Sequence, residues 1–129
     1  MLDTNAVSAI IRGKSSKIDD AVTKAGTENL CISVMTEAEI RFGIAREPGA
    51  IRIAKSANAL LAELEILNWD TREAQTYASM RATMGATGAT LSHFDALIAA
   101  HALSAGCTLI SADKAFAMVP NLKTENWET

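Results

Sequence analysis

The sequence is poor in several features that would fix a fold or a function by themselves. No apolar run approaches the roughly 20 residues that a membrane-spanning helix needs, so no membrane association is expected. The two cysteines, Cys31 and Cys107, lack the paired spacing of a zinc or redox motif. Both fall in predicted core strands, where a thiol acts as a small buried hydrophobe in a reducing compartment. Aromatic residues make up only 5 % of the chain, so Ala, Ile, Leu and Val must fill the core. Lys and Arg number 12 against 15 Asp and Glu, a formal charge of -3. That excludes a protein that coats nucleic acid by bulk charge, although a local basic groove remains open. There is no glycine-rich phosphate loop and no Ser/His/Asp arrangement for a nucleophilic triad. The N-terminus has neither a basic n-region nor an apolar h-region, so a cytoplasmic location is the expectation.

What is present is an ordinary soluble composition, 49 % hydrophobic and 21 % charged, over 129 residues. That length suits one domain, residues 1–129, with a single sizeable core. Short apolar runs at 30–34, 66–69, 107–110 and 122–125 read as strands, and Leu2 as the tail of a stunted first one. Between them lie helical patterns over 6–12, 16–25, 36–45, 50–65 and 71–84, with a turn over 114–119. Asn5 or Thr4 can cap the first helix and Asp70 or Thr71 the fifth. Thr36 and Glu39 read as a capping box that opens the third. Residues 85–90, all small, read as a loop. Alternating strands and helices predict a three-layer α/β/α sandwich around a mainly parallel sheet.

The chain is organised around Leu91 to Leu109. Ser92 is an N-cap with Asp95 three residues on; Leu97, Ile98, Ala99, Ala100 and Leu103 give a continuous apolar face, and Gly106 ends the helix. Taken alone, Asp95 is explained as a capping acid at the positive end of the helix dipole. Its company changes that. In parallel sheets ligands gather beyond the C-terminal strand ends. Asp3, Glu39 and Asp113 follow three of the strands, and Asp95 can reach the same rim. Clustered carboxylates raise at least one pKa unless a cation sits among them. Oxygen donors without a His/Cys set point to Mg²⁺ or Mn²⁺. His93 and His101 are eight apart and form no ligand pair; His101, on an apolar face, reads as a core residue, while His93 could reach the site.

LDTN at the start, EIRFG after an apolar strand, FDALIAAHAL, and ISAD after the last core strand resemble the PIN-domain ribonucleases. Their order and spacing, over essentially the whole chain, resemble the VapC-type toxins of bacterial toxin–antitoxin pairs. The resemblance implies Mg²⁺- or Mn²⁺-dependent endonucleolytic cleavage of RNA, a transfer or ribosomal RNA, leaving 5′-phosphate and 3′-hydroxyl ends. It also implies a cognate antitoxin and a homodimer. Carried over by position, the catalytic and metal-binding acids are Asp3, Glu39, Asp95 and Asp113. Glu37 competes with Glu39, which is preferred because it directly precedes Ile40-Arg41-Phe42-Gly43. Thr4, Asn5 and Ser111 match supporting polar positions, and Arg81 matches a helix arginine of relatives. Arg41, Arg46, Arg81 and Lys114 are the candidates for holding RNA. The Ser92-His93 pair departs from the small turn that relatives carry there. The rival expectations are a catalytically silent PIN-like protein-binding module, whose acids are only caps, and a receiver-type domain. The latter would need paired acids after the first strand and a late strand-end lysine.

Overall fold

The middle of the sheet is its least regular part. In the computed structural model, which describes residues 1–85 and 91–129, Met1–Asp3 runs between two strand pairs and joins them. On one side the Leu2 N–H donates to the Cys31 carbonyl at 2.9 Å. On the other, the Ile110 N–H donates to the Met1 carbonyl at 2.8 Å and the Asp3 N–H to the Ile110 carbonyl at 3.0 Å, a parallel bridge. The flanking pairs are β1 (Cys31–Ser33) with β2 (Glu65–Leu67), and β3 (Leu109–Ile110) with β4 (Thr124–Glu125), both parallel. The order across the layer is therefore β2, β1, Met1–Asp3, β3, β4. Leu2, expected as the tail of a stunted first strand, contributes a single parallel bridge to Ile110, in the middle of the layer.

Alternate residues along these strands enter different cores. Met1, Cys31 and Leu109 belong to one buried cluster; Leu2, Ile32 and Ile110 belong to the other. Side chains of a strand alternate between faces, so the two clusters lie on opposite sides of the sheet. Helices α1 (Thr4–Arg12), α2 (Ser16–Ala25) and α4 (Ile51–Glu63) fill the Leu2 side through residues such as Val7, Ile18, Ala57 and Leu61. Helices α5 (Thr71–Gly85) and α6 (His93–Ala105), with the 3-10 turn Lys114–Met118, fill the other through Met80, Ile98 and Phe116. This is the expected three-layer α/β/α architecture.

The local signals of α6 hold as predicted. The Ser92 hydroxyl accepts the Asp95 N–H at 3.1 Å, and Gly106 ends the helix at φ 68, a left-handed conformation that favours glycine. Two caps differ from expectation. Asp3, not Thr4 or Asn5, caps α1: its Oδ1 accepts the Ala6 N–H at 2.7 Å, so the helix starts at Thr4. Helix α3 (Val34–Arg46) begins at Ser33, whose hydroxyl accepts the Met35 N–H at 3.0 Å; Thr36 is a fully buried residue inside the first turn. The two thiols are neighbours, with sulfurs 3.8 Å apart. Cys31 is buried, and burial pushes its thiol up to about 11. Cys107 precedes β3 and is only half-buried. The loop expected over 85–90 lies, beyond Gly85, outside the described residues. Among the described residues no helix is long and apolar enough to cross a membrane.

Candidate active site

The acidic rim is built by helix starts. Asp3 leaves the sheet in extended backbone, φ -77 and ψ 172, and turns directly into α1, so its carboxylate is tied down at birth by the Ala6 N–H. It is only 4 % exposed. Ser111, just past β3 and also buried, hydrogen-bonds the Asp3 carboxylate and accepts the Asp113 N–H at 3.0 Å. Asp113 is exposed, and its Oδ1 accepts the Ala115 N–H at 2.9 Å at the start of the 3-10 turn. On the opposite wall the Thr4 hydroxyl donates to Glu39 Oε1 at 2.5 Å, with the Thr36 hydroxyl 3.4 Å away. Asp95, half-buried in the first turn of α6, repels Asp3 through space.

Of the predicted set, the charge of Asp95 acts on Asp3 through space. Glu39 joins through Thr4 and Asp113 through Ser111. Burial is the main cause that pushes the Asp3 carboxyl above its ordinary value of 3.8, and the charges of Asp95 and Glu128 push the same way. The hydrogen bonds from Ser111 and Ala6 oppose them. Among the described residues the one ion pair is Arg41–Glu37 at 2.9 Å, so no basic side chain answers this charge. Hard cations fit such a corner by donor chemistry. Among the described residues no three His, Cys, Asp or Glu side chains gather into a chelating group. Mg²⁺, however, commonly binds through one or two carboxylates and keeps several waters. Asp3 and Asp95 satisfy that smaller requirement.

Glu128 did not figure among the predicted acids. The tail reaches the rim because Trp127 packs, partly buried, on the Leu2-side core. A lone tryptophan in a polar tail was the available signal for it. Arg12 was missed as well. It lines a groove of about 340 Å³ with Thr4, Glu39, Phe42, Arg46 and Ile53. The predicted RNA-binding residues do not form one patch by their contacts. Arg41 pairs with Glu37, Arg46 stacks 5.4 Å over Phe42, Arg81 lies 5.7 Å over the Tyr77 ring, and Lys114 is exposed. Asn5 and His93 are exposed. His101, as expected, is a core residue with its ring nitrogen bonded.

The PIN domain family model matches residues 1–122. Over 99 % of its length the chain is 29 % identical to Ribonuclease VapC2 of Rickettsia felis, of which it covers 97 %. It is 28 % identical to the tRNA(fMet)-specific endonuclease VapC of Salmonella typhimurium, over 98 % of this chain and 96 % of that one. Its fold superposes with a TM-score of 0.91 on the crystal structure of VapBC2 from Rickettsia felis bound to a DNA fragment from their promoter, at 26 % identity, covering 98 % and 97 % of the two chains. By a family match that spans nearly the whole sequence, and by VapC relatives along its full extent, the chain belongs to the PIN-domain family, among its VapC-type members.

Proposed function

We propose that the protein is a metal-dependent endoribonuclease toxin that hydrolyses RNA phosphodiester bonds and is neutralised by a cognate antitoxin. The observation that carries this is Asp3, a buried carboxylate faced by two other acids and by no basic side chain among the described residues. Asp3 and Asp95 would hold Mg²⁺ or Mn²⁺, with Glu39 and Asp113 completing the site. When bound, such an ion acidifies a water and offsets the charge of the phosphate. The chain's own residues set the geometry. Ser111 and the Ala6 N–H orient Asp3, and Thr4 fixes Glu39 through Oε1.

Arg46 is the favoured contact to the RNA backbone, because it shares a groove with Glu39 and Arg12. Arg41 is already paired, Arg81 is stacked on Tyr77, and Lys114 stands on the far side of Asp113 in sequence. A transfer RNA is the first substrate to test, since the Salmonella typhimurium relative is a tRNA(fMet)-specific endonuclease; ribosomal RNA is the second. The same groove, with Phe42 and Ile53 as apolar walls, suits a segment of the antitoxin, and light scattering tests the accompanying homodimer.

The deciding experiment incubates purified protein with total transfer RNA and Mn²⁺, with and without EDTA, beside Asp95→Asn. Asparagine keeps the size of the side chain in the first turn of α6, so the fold should survive. Cleavage should need Mn²⁺ and fall at least about a hundredfold in Asp95→Asn, several kcal/mol of transition-state stabilisation. Wild-type rates in Asp95→Asn, or cleavage indifferent to EDTA, count against the assignment. A folded wild type inert toward every RNA favours the silent binding module.

A further inference from the structure

The buried polar groups between α5, α6 and β1 belong to none of the acids above. At their centre is His101, 2 % exposed. Its Nδ1 lies 2.7 Å from the Ser33 hydroxyl, a contact that spans 68 residues of sequence. The ring also hydrogen-bonds the Asn68 main chain and meets the edge of Trp69 at 5.5 Å between centroids. Burial holds the ring below its ordinary 6.5, so near pH 7 it is neutral; its one N–H goes to the Asn68 main chain, and Nδ1 then accepts the Ser33 hydroxyl proton. That leaves a lone pair of the Ser33 oxygen for the Met35 N–H, which it holds at 3.0 Å. Ser33 is therefore the N-cap of α3 with its hydroxyl rotor fixed from another layer of the fold.

This matters because of what the two helices carry. Helix α3 bears Thr36 in its first turn and Glu39 one turn further, both against Thr4. Helix α6 bears Asp95 in its first turn and His101 six residues on, roughly 9 Å along the axis. We propose that His101 is a positioning residue of the acidic site: by holding Ser33 it fixes the start of α3 relative to α6, and so sets Glu39 on Thr4 opposite Asp95. The inference rests on the nuclease function proposed above, although its structural half can be tested without it.

Three variants separate positioning from simple packing. His101→Leu keeps apolar bulk and removes the acceptor. His101→Asn restores a polar group near the place of Nδ1. Ser33→Ala removes the other partner. Amide exchange at Met35, Thr36 and Glu37 is read by NMR, and kcat and KM are read on the RNA that the wild type cleaves. His101→Leu and Ser33→Ala should each speed exchange in that first turn, and lower kcat, about tenfold, with KM changed by less than about twofold, as expected for loss of one buried cap. The double variant should be no worse than either single one. His101→Asn should return exchange and kcat to within about threefold of wild type. Unchanged exchange in a folded His101→Leu overturns the proposal. So does an additive double variant, or a His101→Asn as impaired as His101→Leu. Should His101→Leu fail to fold, Ser33→Ala against His101→Asn decides by the same readings. A wild type that cleaves no RNA removes the nuclease function, while the exchange pattern and its rescue still decide the role of His101.

Discussion

Among the described residues two carboxylates are buried, and their surroundings push them in opposite directions. Glu73, 9 % exposed near the start of α5, is supplied with donors by the protein itself. The Ser104 hydroxyl donates to Oε2 at 2.7 Å and the Asp70 N–H to Oε1 at 3.0 Å. The second bond is the return half of a capping box, with Glu73 at the third helical position. These bonds, Ser104 first, hold the Glu73 carboxyl below its ordinary 4.5, helped by His101 and Arg72. Asp3 has two donors too, yet burial and the charges of Asp95 and Glu128 outweigh them. A buried acid whose charge the fold satisfies is part of the scaffold. One whose charge the fold opposes is where the proposed cation would be held.

The contrast is sharpest in the pair Asp3→Asn and Glu73→Gln. Asparagine caps helices as well as aspartate does, so Asp3→Asn should fold. It should lose RNA cleavage at least about a hundredfold, the largest effect expected here. It should also melt higher than wild type at pH 7 without metal. The sign follows from the raised folded value of Asp3. Such a group contributes stability that is fully present below 3.8 and lost as pH rises through its folded value, and asparagine has no such loss. The gain should vanish in melts taken below pH 3.8. An Asp3→Asn less stable than wild type at every pH would remove the distinction between the two acids.

Metal gives the next largest effect. At about 100 times its dissociation constant, Mn²⁺ should stabilise the wild type by roughly 2.7 kcal/mol at pH 7. The gain should be smaller in acid, where Asp3 carries its proton, and absent in Asp3→Asn/Asp95→Asn. Equal shifts by Mn²⁺ at both pH values would show that these carboxylates do not bind it together. Glu73→Gln should behave in the reverse way: a lower melting temperature at pH 7, and kcat within about threefold of wild type because no reacting group is touched. Its deficit should shrink as pH falls below 4.5, since a depressed carboxylate loses its stabilisation there in the wild type as well. His101 is held below 6.5 by burial against the raising charge of Glu73, so Glu73→Gln lowers it further and deepens the loss of stability as pH falls below 6.5 in the variant. The smallest effect is expected for Thr4→Val. It removes the hydroxyl bonded to Glu39 and should cost about five- to tenfold in rate, with little change in melting.

What the sequence made legible was whatever is decided locally. Ser92, Asp95 and Gly106 lie within one helix, and their capping roles follow from spacing alone. Leu2, Ile32 and Ile110 announce a buried parallel sheet by composition, and the three layers follow. The misreadings share a cause at a distance. Thr36-Glu37-Ala38-Glu39 is a sound capping box as text, but the cap of α3 lies three residues earlier, at Ser33, whose hydroxyl also meets His101, 68 residues away. The charge of Glu128 acts on Asp3 from the tail, where Trp127 packs on the core that contains residues of α1 and α4. Cys31 and Cys107 touch across 76 residues, a contact no spacing motif records.

The central position of Met1–Asp3 has a consequence for the birth of the molecule. The Met1 N donates to Thr108 O at 2.8 Å, across 107 residues, and Asp3 finds its serine partner only at Ser111. Contacts of such separation slow folding, because the loop between them must close before they contribute. A ribosome makes about 5–20 residues per second, so the first residues wait seconds for their neighbours. Until then Met1–Asp3 has only β1 to pair with and its other edge is open, and Asp3 has no Ser111. A nascent chain that ends before β3 therefore lacks the serine partner of Asp3.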